Sequence, residues 1–166
     1  MQPIVVHVTD GGPHSAAKHA EITAWKILDL IRISEDSVDP GNPDRDAILA
    51  AREEARQSKA RLRPLLEAAL VPVHDTIVTA ERKALAARGG AARLTAPPAE
   101  HGHADIDAVL GEVTAVLATT AIGRRFGQPE VQAVLRRLIA DDFARAVHEE
   151  RSWHADRRPE RTGEQH

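Results

Sequence analysis

The sequence predicts an all-α domain of four to five helices, packed bundle-like, with a short extended or β-like N-terminal arm. Three observations predict it. Apolar residues recur every three to four positions through long segments. The breaks between those segments carry Gly, Pro, Asp and Asn. The one strand signal, Ile4, Val5, Val6 and Val8, is confined to the start of the chain.

Gly11-Gly12-Pro13 ends the arm. A lone strand leaves backbone donors and acceptors unpaired, so Ile4, Val6 and Val8 are expected to pair or pack against another protomer or a partner's sheet edge. Ser15 is the expected N-cap of a first helix running to about Ile33. Its main apolar face is Ala16, Ala20, Thr23, Ala24, Ile27 and Ile31, and Ile22, Trp25 and Ile33 form a second strip on roughly the opposite side. A helix apolar on two sides is sandwiched or lies in an interface, so Ile22, Trp25 and Ile33 join the arm as expected interface residues.

Residues 34–43 read as a turn-rich linker, and Asp44 opens a long pattern with Ile48, Ala51, Ala55, Leu62, Leu66, Ala69, Val73, Ile77, Ala80 and Ala84 on one stripe. Pro64 and Pro72 interrupt it without resetting its phase. A proline inside a helix costs about 3 kcal/mol, so a break or strong kink near Val71-Pro72 is expected. Gly89-Gly90 closes the pattern and residues 89–104 form a Gly/Pro/Ala-rich loop. Asp105 caps a helix expected over 106–126 with Ile106, Val109, Leu110, Val113, Leu117 and Ala121 on its core side. Gly127 breaks it, and Pro129 suits the first turn of a last helix reaching about Trp153. Residues 1–156 thus read as one helical domain, with 1–13 as arm and turn and 157–166 as a flexible polar tail.

Composition narrows the function. A chain of 166 residues suffices for one domain with a real core. Zero Cys removes disulfides, thiol nucleophiles and thiolate metal sites. The net charge of −3, with no Tyr, two Phe and two Trp, opposes nucleic-acid binding by bulk charge or base stacking. No apolar run approaches the roughly 18 residues of a membrane span, and the N-terminus lacks the pattern of a secretory signal, so a cytoplasmic protein is expected.

Several polar groups stand where apolar ones belong. Glu67, His74 and Glu81 fall inside an apolar arc, and Asp142 and Glu149 lie on the core stripe of the last helix with Val131, Leu135, Leu138, Ala146 and Trp153. A buried charge needs a partner or a metal. His74, Glu81, Asp142 and Glu149 could together hold a divalent metal as bundle carboxylate sites do. The spacing lacks a Glu-x-x-His pair, and Arg63 and Arg145 are at hand, so an ion-pair network is favoured and no cofactor is expected.

Two further motifs compete with plainer readings. The turn of Gly11, Gly12, His14 and Lys18 before a helix N-terminus could hold an anion, although a chain reversal uses the same residues. Helix, Phe126, Gly127, then a helix carrying Gln128, Gln132, Arg136 and Arg137 has a helix-turn-helix layout. Its second helix is too long and too apolar for a groove, so a helical hairpin is preferred. His101, His103, Asp105 and Asp107 read as a solvated loop cluster, His148 and His154 as cations suited to a helix C-terminus, and no Ser sits in a nucleophile elbow. The expectation is a non-enzymatic assembly or accessory subunit, a homo-oligomer that binds protein partners, of bacterial or phage-borne composition. The alternatives are a metal-binding bundle or metal enzyme, and then a DNA-binding regulator.

Overall fold

The computed structural model describes residues 14–87 and 104–164. Among these the chain is all-helical: α1 (Ala16–Leu28), α2 (Arg45–Ala87), α3 (Ile106–Leu117), a single 3-10 turn (Arg124–Gly127) and α4 (Pro129–Glu164). Cross-helix pairs fix the directions. Trp25 lies by Arg63 and Ile31 by Lys59, so α1 runs against α2. Glu81 meets Arg151 and His74 meets Phe143, so α2 and α4 run parallel. Asp107 meets Arg136 and Thr114 meets Gln132, which sets α3 against α4. The result is an up-down-up-down bundle.

Each helix start follows its sequence signal. The Ser15 hydroxyl accepts the Lys18 N–H and the Asp105 carboxylate that of Ala108. The core joins Ala20, Ala24 and Ile27 of α1, Leu62, Leu66, Leu70 and Ile77 of α2, Val113 and Leu117 of α3, and Leu135, Ile139, Phe143 and Val147 of α4. Each fully buried Leu, Ile or Phe contributes about 1.5–3 kcal/mol relative to exposure.

Several expected boundaries are corrected. α2 does not break at Pro72, nor at Pro64. Both rings face solvent while Leu62, Leu66, Leu70, His74 and Ile77 on either side pack inward, so tertiary burial outweighs the local proline cost. α1 stops at Leu28 rather than Ile33, because Leu30 and Ile31 bond back three residues and their own carbonyls accept from Arg125 and Lys59. α3 stops at Leu117 rather than 126. The Thr119 and Thr120 hydroxyls take the Val116 and Leu117 carbonyls, and Ala121 is exposed. The backbone of α4 passes Trp153 to Glu164, through most of the expected tail, in a segment supplied with helix-favouring Ala, Arg and Glu. The stripe of α2 begins to be buried only at Ser58, and Ala51 is exposed. Beside its first half runs the linker, tied by Arg52 to the Asp36 carbonyl at 2.6 Å.

Ile4, Val6, Val8, Gly11, Gly12, His101 and His103 lie outside the described residues. No described helix is long and apolar enough to cross a membrane.

Candidate functional site

A buried polar cluster joins α1, α2 and α4. His19, Thr23, His74 and Asp142 are all at most 2% exposed. Helical spacing makes the cluster. His19 and Thr23 are one turn apart on the inward face of α1, opposite the turn of α4 that carries Asp142 and Arg145.

Asp142 is the hub. Arg145 grips it with Nε at 2.8 Å and Nη2 at 3.1 Å, the exposed end of Lys26 reaches Oδ1 at 2.5 Å, and the Thr23 hydroxyl donates to Oδ2. Burial works against the carboxylate, but bonds from Arg145, Lys26 and Thr23 outweigh it and hold its pKa at about 2. The Thr23 hydroxyl has two acceptor-only neighbours, the ionised Asp142 carboxylate and the His19 carbonyl at 3.0 Å, and its single proton goes to the charged one, which makes the stronger bond. His74 Nε2, 2.9 Å from the same hydroxyl oxygen, must then be the donor. This assigns a neutral Nε2–H tautomer to His74, whose pKa burial and the neighbouring His19 push down to about 3. His19 accepts from Arg145 at Nδ1 (3.5 Å), and burial, then Arg145, lowers it to about 4. The two rings stack at 5.4 Å, and the His74 ring meets Phe143 edge-on at 4.8 Å.

The four residues suggested as metal ligands divide. His74 and Asp142 share Thr23. Glu149 lies beside them on Arg145 at 2.9 Å, with His14 3.9 Å away. Glu81 belongs elsewhere: Arg151 binds it bidentately at 2.6 and 3.1 Å. Near it Glu150 is fully buried, and burial lifts its carboxyl to about 7, with Arg82 opposing and Glu81 adding to the rise. Among the described residues no three His, Asp or Glu come together as a metal-holding group. Glu67 is held by Arg63 at 2.9 Å. The sequence pattern missed His19, Thr23 and Lys26, since a threonine or histidine on an apolar helix face reads as a tolerated core residue. It also missed Glu150, which lies beside Glu149 but faces inward.

The other candidates are engaged within the fold. Lys18 pairs with Glu21 at 3.1 Å. Gln132 bonds the Phe126 carbonyl and the Thr114 hydroxyl, Arg136 pairs with Asp107 at 3.0 Å, and Arg137 lies 3.8 Å from Asp141, so three of the four helix-turn-helix polar residues meet groups of their own chain, while Gln128 is exposed. Asp105 serves as a cap. An apolar groove of about 430 Å³ runs between α2 and α3 over Ala69, Pro72, Val73, Ala104 and Val109.

The second apolar strip expected on the first helix is less covered, and its Ile33 lies beyond the end of α1. Ile22 and Ile33 are partly buried, and Trp25 is 51% exposed with the Arg63 guanidinium 4.9 Å from its ring. No protein-family model, curated protein or solved structure matches the chain.

Proposed function

We propose that the protein is a non-enzymatic helical subunit that works by protein–protein association, with the outer face of α1 as its docking surface. Trp25 carries the reading. It is one of only two tryptophans, yet about half of it faces solvent and Arg63 steadies it from α2. Trp and Arg are the residues most enriched where binding energy concentrates in interfaces. Supporting it, the acids of the buried cluster bind Arg and Lys of the same chain, which suits them to joining helices.

The test is a photoreactive amino acid at position 25, compared with one at the exposed Ala133 on α4. A discrete adduct with another protein chain from position 25 and none from position 133 is expected. Equal, diffuse labelling from both positions would overturn the reading.

A further inference from the structure

Lys18, Ile22, Trp25 and Asp29 follow one another at spacings of four, three and four along α1 and its C-cap. At about 100° per residue they fall within an arc of roughly 60°, the seam geometry of a coiled coil. Lys18, Trp25 and Asp29 are exposed and Ile22 is partly buried, so the seam faces away from the core, and the Lys18 ammonium, which also reaches Glu21 of its own helix at 3.1 Å, stays half exposed. Its order is cation, aliphatic, aromatic, anion. We infer that this seam binds a second copy of the same chain, with the two α1 helices antiparallel about a twofold axis between Ile22 and Trp25.

The argument is charge complementarity. A twofold contact uses the same patch on both copies, so the patch must complement itself. Reversed and laid on itself, the seam sets Lys18 opposite Asp29 of the second copy and Ile22 opposite Trp25 of the second copy. Both pairs then recur by symmetry. Apolar groups occupy the centre and opposite charges the two ends, the anatomy of an interface core and rim. A parallel arrangement would set Lys18 on Lys18 and Asp29 on Asp29, so the sequence selects against it. Arg63 covers only one side of the indole and leaves the ring available to Ile22 of the second copy.

The inference rests on the reading of α1 as a docking face, and sedimentation equilibrium over a concentration series separates the two. The wild type is expected to approach twice the chain mass of 18.0 kDa. Lys18→Asp and Asp29→Lys should each weaken the dimer by about tenfold or more, since each sets like charges together. Both changes suit the helix dipole, so α1 is retained, which circular dichroism checks. Mixing the two variants should restore the double mass, because opposite charges then meet at both ends. The two substituted positions face each other at one end, and the unchanged Asp29 of one variant faces the unchanged Lys18 of the other at the second end. A wild-type mass of one chain at every concentration, or a dimer that neither substitution weakens, overturns the inference. If the chain is monomeric while position 25 still crosslinks to a different protein, the docking face stands and the second copy is wrong.

Discussion

The Thr23 hydroxyl on α1 donates to the Asp142 carboxylate on α4, and its oxygen receives His74 Nε2 from α2 at 2.9 Å. One side chain thereby connects three helices in a buried position.

Thr23→Val keeps the shape and removes the oxygen. It leaves the His74 N–H without its acceptor and a carboxylate oxygen short of one donor, each in a buried site. Orphaning such groups costs about 1–3 kcal/mol. The urea midpoint should fall accordingly, whereas Thr23→Ser should recover most of it. Equal stability of the Val variant would mean that the hydroxyl contributes nothing.

Stability should pass through a maximum close to pH 6.5–7. The His19 and His74 pKa values are lowered from 6.5 to about 4 and about 3 in the fold. The unfolded chain therefore binds more protons below 6.5. Their contribution is full above that pH and is lost as pH falls, by up to about 1.4 kcal/mol per pH unit for each. Glu150 acts in the opposite sense. Its pKa is raised from 4.5 to about 7, so its contribution is present below 4.5 and is lost as pH rises through 7. Glu150→Gln should thus stabilise the protein by about 1–3 kcal/mol at pH 8, reduced by any attraction lost to Arg82, and much less at pH 5. Denaturation at both pH values measures the difference, and a gain independent of pH would refute the assignment.

The acid–cation pair of Glu81 and Arg151 gives a third prediction. Glu81 is nearly buried and its partner's side chain is 22% exposed. Glu81→Ala strands the guanidinium, and breaking such a pair costs about 3–5 kcal/mol. The double replacement Glu81→Leu with Arg151→Met should be much milder than either single change. Chelator should leave every melting curve unmoved. A tightly held ion that is lost on His74→Ala would instead favour the metal reading.

The helical pattern made the bundle legible, including the caps at Ser15 and Asp105 and the burial of His74, Glu81 and Asp142. What it left open was which polar groups face each other, because that depends on rotation and pairing of helices distant in sequence. His74 and Glu81 share one polar stripe of α2, yet His74 meets Thr23 in the Asp142–Arg145 cluster while Glu81 pairs with Arg151, further along α4. Local chemistry also misled at the prolines of α2. The rings point outward there, a fact set by which side of the helix the core covers.

The turn after α3 depends on Gly123 for steric reasons alone. Its φ of −86° and ψ of −11° suit any residue. A Cβ there would come 1.9 Å from the Leu117 carbonyl oxygen and 2.6 Å from its carbon, both main-chain atoms that cannot swing aside. The same carbonyl accepts the Thr120 hydroxyl, and the turn delivers Phe126, 1% exposed, into the core. Gly123→Ala must therefore shift backbone at the end of α3 and is expected to cost about 1–3 kcal/mol, as overpacking does. Two other glycines provide controls, since nothing lies within 4 Å of a Cβ built at Gly111 or Gly127. Gly111→Ala, inside α3, should stabilise by about 0.5–1 kcal/mol through helix propensity, and exposed Gly127→Ala should change stability by less than about 0.5 kcal/mol. Denaturant midpoints of the three variants, measured side by side, distinguish a steric requirement at one position from a general intolerance of the turn. A neutral Gly123→Ala would show that the chain reverses after α3 by a different path.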